Sequence, residues 1–252
     1  MAPLSEALQE APGSLGTVRN AVLLLDLLAE GPAYQQLTDL ADRSGLSLPT
    51  VHRLLRSLVL AGLVEQDPRS SRYGLGAHLV RLAHRYLARL PVLGALAPYL
   101  AQLRDAVGAT VRVELLVGTQ VVDGDRVSGP EVGLYREVAG VRPALSTAGG
   151  RALAARGDDE LWKLVMAEAD EELRALAESE REAWSKAEVI TVSADYLGAG
   201  TEVAVAVVDP SGSPLAALCV DLPRDPAPER VRETVAHCDR AIAAALRTLG
   251  HG

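Results

Sequence analysis

Aromatic residues are scarce in this sequence: phenylalanine is absent, and Phe, Trp and Tyr together make up 3% of its 252 residues. Alanine and leucine supply most of the apolar positions, which favours helices over an aromatic-rich β-sandwich. The two cysteines, Cys219 and Cys238, are too few for a disulfide framework or a four-ligand zinc site. No apolar run approaches the ~20 residues that a membrane span requires. We therefore expect neither a disulfide-stapled nor a membrane-spanning protein.

The overall composition is that of a globular protein, with 48% hydrophobic and 23% charged residues. A chain of this length forms one large domain or two smaller ones. Residues 1–16 contain Glu6 and Glu10 but no basic residue, so they do not resemble a signal peptide. We expect this segment to be a mobile tail and the protein to be cytoplasmic.

Charge is distributed unevenly along the chain, although the net charge is −8. Residues 1–16 carry −2, residues 17–91 carry +3 and residues 92–252 carry −9. A basic N-terminal part on an acidic body keeps non-specific affinity for nucleic acid low while leaving a local contact surface.

Residues 17–76 have the pattern of three helices followed by a β-hairpin. Apolar residues with helical spacing begin at Thr17 and stop at Gly31-Pro32. Two further helices are predicted at 38–44 and 47–61, and short strands at 63–65 and 72–75. Ser47 is a suitable N-cap for the third helix.

The third predicted helix has an apolar face and a polar face when its residues are placed ~100° apart. Its apolar face would pack on the other helices, whereas its polar face presents arginines, which can bond guanine in bidentate fashion. The helix would enter the major groove of DNA, and the hairpin tip would reach the adjacent backbone or minor groove. An ordinary solvated helix is the alternative. The predicted DNA-binding residues are Ser47, Pro49, Thr50, His52, Arg53, Arg56, Arg69 and Arg72.

The remainder of the chain predicts an α+β domain, with helices packed on a mostly antiparallel sheet. Residues 77–91 are predicted to form a connector helix, and 92–107 a helix that opens the second domain. Strands are predicted at 110–117, 120–126, 132–138, 189–193, 202–209 and 215–222, and helices at 151–156, 158–167, 171–186 and 229–249.

Seven segments of the chain follow the pattern of a known family: Thr17–Ala21, Asp39–Leu46, Thr50–Leu55, Arg72–Gly76, Gly140–Pro143, Ser146–Leu153 and Asp195–Asp209. On these segments the chain resembles the IclR family of transcriptional regulators between about Thr17 and Leu249. The resemblance implies a winged helix-turn-helix domain at 17–76, a linker helix at 77–91, and a GAF-like α/β effector-binding and oligomerisation domain at 92–252. It also implies dimers, or dimers of dimers, on near-palindromic operators of double-stranded DNA, under the control of a small-molecule effector.

The resemblance also implies an effector pocket in the second domain. Its glycines at 149–150 either expose main-chain amides to an anion or only form a tight turn. Acid-binding members have Cys or another small residue at the position of Glu202, and Ser at the positions of Cys219 and Asp221. Two carboxylates in one cavity would repel an acid or raise each other's pKa. A cationic, amine-bearing or polyhydroxylated effector or a metal is then favoured, unless Glu202 pairs with Arg112 or Arg126 and closes the cavity. The pocket residues would be Ser146, Thr147, Ala148, Gly149, Gly150, Asp195, Glu202, Cys219 and Asp221.

The sequence allows two alternatives to regulation. A hydrolase could use Asp195, Glu202 and Asp221 as acid and base, but the sequence lacks a G-x-S-x-G motif and a phosphate-binding loop. We predict no catalytic residue, no metal site and no cofactor. Alternatively, the second domain only multimerises DNA-binding heads, with a dimer seam on the connector helix at Leu79, Leu82, Ala83, Tyr86 and Leu90.

Overall fold

The computed structural model describes residues 16–130, 140–194 and 200–249. These residues form two compact units, of which the first ends at Leu87 and the second begins at Ala88. The strand predicted at 132–138 and nearly all of the predicted tail lie outside the described residues. Across the described ranges, no helix combines the length and the apolarity that crossing a bilayer demands.

The first unit has the predicted order of three helices, a hairpin and a further helix. Helix α1 ends directly before Gly31-Pro32, and Gly45 ends α2 in the left-handed conformation, with a φ of 68°. The two strands pair antiparallel, with Val64 opposite Leu75. The elements are α1 (Gly16–Glu30), α2 (Leu37–Ser44), α3 (Leu48–Leu60), β1 (Val64–Gln66), β2 (Tyr73–Leu75) and α4 (His78–Leu87).

A buried glutamine connects the parts of this unit. Gln35 Nε2 donates to Leu27 O at 2.9 Å, and Gln35 Oε1 accepts from Arg43 Nη1 at 2.7 Å. The Gln35 main chain also exchanges two hydrogen bonds of 2.8 Å with Tyr73 in β2. Since buried polar groups are costly when left unpaired, these bonds fix the end of α1, the adjoining α2 and the hairpin relative to one another.

The second unit is built on one antiparallel sheet, as predicted. Its strand order is β5-β4-β3-β8-β7-β6, so β3 and β8 lie at its centre. The elements are α5 (Pro91–Val107), β3 (Thr110–Val117), β4 (Gln120–Val127), β5 (Val141–Pro143), a 3₁₀ turn (Ala144–Ser146), α6 (Ala148–Ala154), α7 (Asp159–Glu168), α8 (Glu171–Lys186), β6 (Ile190–Ala194), β7 (Gly200–Val208), β8 (Pro214–Pro223) and α9 (Pro228–Leu249).

Helix α6 begins at Ala148, three residues earlier than predicted, because Thr147 caps it. The Thr147 hydroxyl accepts a hydrogen bond from Gly150 N at 2.8 Å. A side chain at Gly149 would collide with Glu114 and Cys219, and one at Gly150 would collide with the Ala144 carbonyl. The two glycines therefore belong to the first turn of a helix that lies close against the sheet.

Candidate nucleic-acid interface and buried ionic cluster

Helix α3 separates its two faces as the sequence predicts. Val51, Leu54, Leu55 and Leu58 are buried against the core of the first unit. The polar face of α3, defined here as Pro49, His52, Arg53 and Arg56, is exposed. Thr50 is partly buried at its edge. The buried stripe thus fixes which side chains α3 presents outward.

The start of α3 differs in one detail from the prediction. Ser47 occupies the N-cap position, but its hydroxyl contacts Thr50 Oγ1 at 2.8 Å and does not bond a main-chain amide. The amides of the first turn are therefore not capped by this side chain. Such amides favour oxygens of negative charge, including those of phosphate.

The hairpin tip is held by its own aspartate. Asp67 accepts hydrogen bonds from the Ser70 hydroxyl and from Arg69 N, and these bonds lower the pKa of its carboxyl. Ser71 adopts a left-handed conformation with a φ of 57°. The turn thereby uses its one carboxylate internally and leaves Arg69 and Arg72 exposed.

The second unit contains a buried arginine surrounded by carboxylates. Arg112, on β3, has no exposed surface. Its Nη2 lies 2.8 Å from Asp221 Oδ1 and 3.5 Å from Glu202 Oε1. Its Nη1 lies 2.6 Å from Glu114 Oε1 and 3.3 Å from Asp123 Oδ1. The sequence left open whether Glu202 faces a ligand cavity or pairs with Arg112 or Arg126, and the structure contains the pair with Arg112.

A second arginine and the start of α6 complete this group. Arg142 Nη2 lies 2.8 Å from both Glu114 Oε1 and Asp123 Oδ1. Thr147 donates its hydroxyl to Glu114 at 3.2 Å, and the amides of residues 148–149 donate to Glu202 at 3.2 and 3.4 Å. We call the six charged residues the ionic cluster: Arg112, Glu114, Asp123, Arg142, Glu202 and Asp221.

The structure brings together most of the residues predicted to line an effector pocket. Glu202 and Asp221 are direct cross-strand partners on β7 and β8. Cys219 is buried near them and close to Gly149. Ser146 instead donates its hydroxyl to Pro143 O at 2.7 Å. Asp195 lies outside the described residues.

Sequence reasoning missed three members of the cluster: Glu114, Asp123 and Arg142. A signal for the first was available, because Arg112 and Glu114 are spaced by two in an otherwise apolar strand. Residues so spaced in a strand lie on one face of the sheet. The other two are brought in by the pairing of β4 with β3 and β5, which the sequence does not specify.

Burial and mutual repulsion shift the protonation of the cluster. Desolvation, followed by the charge of Glu202, raises the pKa of Glu114 to about 7. Burial also raises the pKa of Asp221 and of the Cys219 thiol. The ionic cluster itself contains four carboxylates and two guanidiniums, and the charges of Arg126 and Arg151 also reach Asp221 and Glu202. A proton on Glu114 lowers the repulsion between its carboxyl and that of Glu202.

The same residues contain a group spaced for a metal ion, but their surroundings do not suit one. Ligand atoms of Glu114, Glu202 and Cys219 lie within 4.8 Å of one another. Arg112 already contacts both carboxylates, and a raised thiol pKa opposes the thiolate that a metal requires. The arrangement fits internal charge compensation better than metal binding.

The fold and the exposed arginines define a winged helix-turn-helix protein with an appended antiparallel sheet domain. Residues 17–68 match the IclR helix-turn-helix domain. The chain is 30% identical over 151 residues to the transcriptional regulator XynR of Escherichia coli, a match that covers 59% of this chain and 60% of XynR.

Two solved structures extend the similarity to nearly the whole chain. An IclR transcriptional regulator from Silicibacter sp. TM1040 has a TM-score of 0.78 and 26% identity, covering 93% of this chain and 96% of that one. An IclR homologue from Microbacterium hydrocarbonoxydans, complexed with 4-hydroxybenzoate, has a TM-score of 0.67 and 23% identity, with coverages of 92% and 99%. Residues 17–68 thus form an IclR helix-turn-helix domain, and the rest of the chain is similar in fold to IclR regulators.

The raised pKa of Glu114 predicts that the second unit loses stability as the pH rises. Between about pH 4.5 and 7 the folded state holds a proton on Glu114 that the unfolded chain releases. The free energy of unfolding should fall by about 3 kcal/mol over this interval from this group alone. Denaturant unfolding followed by the fluorescence of Trp162 and Trp184, both in the second unit, measures it.

The glutamine variant isolates this contribution. Glu114→Gln is neutral at every pH, so its unfolding free energy should fall less steeply than that of the wild type between pH 4.5 and 7. Glu172→Gln, at an exposed position, is the matched control and should follow the wild type. Parallel curves for the wild type and Glu114→Gln would contradict the assignment.

Proposed function

We propose that this protein is a transcriptional regulator that binds a DNA operator and responds to a small-molecule effector, with no catalytic role. The main support for DNA binding is the polar face of α3. It presents arginines opposite a buried apolar stripe within an IclR helix-turn-helix domain. The residues proposed to contact DNA are Ser47, Pro49, Thr50, His52, Arg53, Arg56, Arg69 and Arg72.

In this proposal α3 reads base edges in the major groove, and the hairpin tip contacts the neighbouring backbone or minor groove. A two-fold symmetric protein pairs with a near-palindromic site, so we propose a dimer, or a dimer of dimers, on such an operator. The Escherichia coli relative XynR is itself a helix-turn-helix transcriptional regulator.

Arg53 is exposed on the polar face of α3 and is the residue on which base reading is tested. Arg53→Ala should weaken binding to the selected operator by about 1–3 kcal/mol if the guanidinium reads a base. The operator is first selected from random and self-upstream DNA, and dissociation constants are then measured by fluorescence anisotropy at matched salt.

Arg53→Lys separates base reading from simple charge. Lysine keeps the charge but lacks the planar fork that bonds guanine at two points, so it should recover only part of the lost affinity. Overlapping isotherms for the wild type and Arg53→Ala would remove Arg53 from the interface. If neither random nor upstream DNA yields an enriched site, the proposed function itself is wrong.

We further propose that the chain divides into a tail at 1–16, a head at 17–76, a linker at 77–91 and a second domain at 92–252. Helix α4 lies in this linker, and we propose that two copies dimerise through it. Leu82 and Tyr86 are 46% and 57% exposed although both are large and apolar. They lie on one side of α4 with Leu79 and Ala83, and these four residues are called the linker seam.

If two copies dimerise through the linker seam, a charge should dissociate the dimer when it is placed on the seam side of α4 and not when it replaces an exposed apolar residue on another side. Tyr86→Glu should shift the protein towards monomers, because it would bury a charge between the two helices. Val80→Glu is the matched control, since Val80 is 61% exposed but lies about 110° away from the seam around the helix. Sedimentation velocity over a range of concentrations measures both; equal dissociation of the two variants would contradict the seam.

We propose that the effector acts on the ionic cluster, with contacts from residues of the predicted pocket. Glu202 is already paired with Arg112, so an effector that reaches Glu202 has to replace that ion pair. A cationic or polyhydroxylated compound can do so more readily than an organic acid, which the carboxylates of the cluster would repel. Effector binding has a precedent in the Microbacterium homologue complexed with 4-hydroxybenzoate. The proposed residues are Ser146, Thr147, Ala148, Gly149, Gly150, Asp195, Glu202, Cys219 and Asp221.

This proposal predicts that Glu202 transmits the effector response. A library of amines and polyols is screened for compounds that change operator affinity. Glu202→Gln, which has nearly the same shape without the charge, should bind the operator but lose most of the response to an active compound. The exposed Glu172→Gln should keep it, and an unchanged response in Glu202→Gln would place the effector elsewhere.

A further inference from the structure

One continuous stretch of this acidic chain contains no acidic residue. Residues 68–104 hold six arginines and two histidines, whereas the whole protein carries 33 Asp and Glu against 25 Lys and Arg. The stretch includes the basic hairpin tip and all of α4. A positive potential therefore extends beyond the hairpin along this helix.

The basic residues of α4 lie together on one side. At 100° per residue, His78, Arg81 and Arg85 fall within about 60° of one another around the helix axis. We call these three residues the basic face of α4. It is centred about 120° from the linker seam, so a helix that uses its seam to dimerise still presents the basic face.

The arginines of the basic face lack carboxylate partners among the described residues. Arg81 is hydrogen-bonded to His78, and both Arg81 and Arg85 are exposed. By contrast, exposed Arg232 in the second unit is paired with Glu229, and partly buried Arg181 is paired with Asp159. An uncompensated row of guanidiniums retains its attraction for an external polyanion.

Helix α4 is attached directly to the elements that present the polar face of α3. His78 N donates to Gly62 O at 3.3 Å, just beyond the end of α3, and Gly76 N donates to Leu63 O at 2.8 Å. Gly62 has a φ of 72°, a left-handed conformation that favours glycine, and it lies in contact with His78. The start of α4 is thus fixed within the first unit.

We propose that the basic face of α4 contacts DNA phosphates outside the bases read by α3 and supplies sequence-independent affinity. This inference rests on the proposed function, because it assigns a second contact with the same partner. An arginine that binds only a phosphate displaces counterions from the DNA but reads no base. Its removal should therefore lower the salt dependence of DNA binding and leave the preference for the operator over other sequences unchanged.

The test compares the salt dependence of operator binding in matched double variants. Arg81→Ala/Arg85→Ala should reduce the slope of log K against log salt by about four for a dimer, because each phosphate contact contributes about 0.9. Affinities for the operator and for random duplex should fall by the same factor. Arg232→Ala/Arg240→Ala removes the same charge from exposed sites on α9 and should keep the wild-type slope.

Each other outcome has a defined meaning. A wild-type slope in Arg81→Ala/Arg85→Ala would overturn the phosphate contact, while an effect of Arg53→Ala in the same experiment would leave the proposed function standing. If the double variant instead sediments as a monomer, the basic face serves an interface between copies, and the inference is wrong. A wild type that binds no DNA would overturn the inference and the proposed function together.

Discussion

The second unit is organised around a guanidinium that has no access to water. An unpaired buried charge costs several kcal/mol, so Arg112 can occupy the centre of the sheet only where carboxylates surround it. They come from β3 itself, from β4 and from the paired strands β7 and β8. Glu202 and Asp221 are directly opposite on neighbouring strands, where like charges repel. The positive charge of Arg112 offsets that repulsion, and the carboxylates in turn compensate the free-energy cost of burying Arg112.

This mutual dependence links the charge state of the cluster to the position of α6. Glu202 accepts hydrogen bonds from the first amides of α6, and Glu114 accepts one from the Thr147 cap. A proton or a bound cation that weakened either carboxylate would therefore alter what holds the start of this helix. The cap, the glycines beneath it and the cluster behave as one element, so a local change in charge has a structural consequence.

The sequence predicts the first unit more completely than the cluster, for a physical reason. The faces of α3 follow from the 3.6-residue period alone, and Gly31-Pro32 and Gly45 end helices through their own backbone preferences. The cluster depends on strand pairing between distant residues: Arg112 is separated from Asp221 by 109 positions. A register shift between Val113 and Glu114 further decides which residue of β4 lies opposite, and no local pattern encodes it.

Arginine outnumbers lysine by 23 to two in this chain, and the two units use it in opposite ways. In the second unit a planar guanidinium can satisfy several carboxylates at once, which a lysine ammonium does less well. In the first unit the guanidiniums of α3, the hairpin tip and α4 lie exposed, where mobile ions screen them. Salt therefore weakens an interaction of the first unit with DNA while leaving the buried cluster nearly unaffected. The same residue type thus has a salt-insensitive role inside the second unit and, in the proposed function, a salt-sensitive role on the surface of the first.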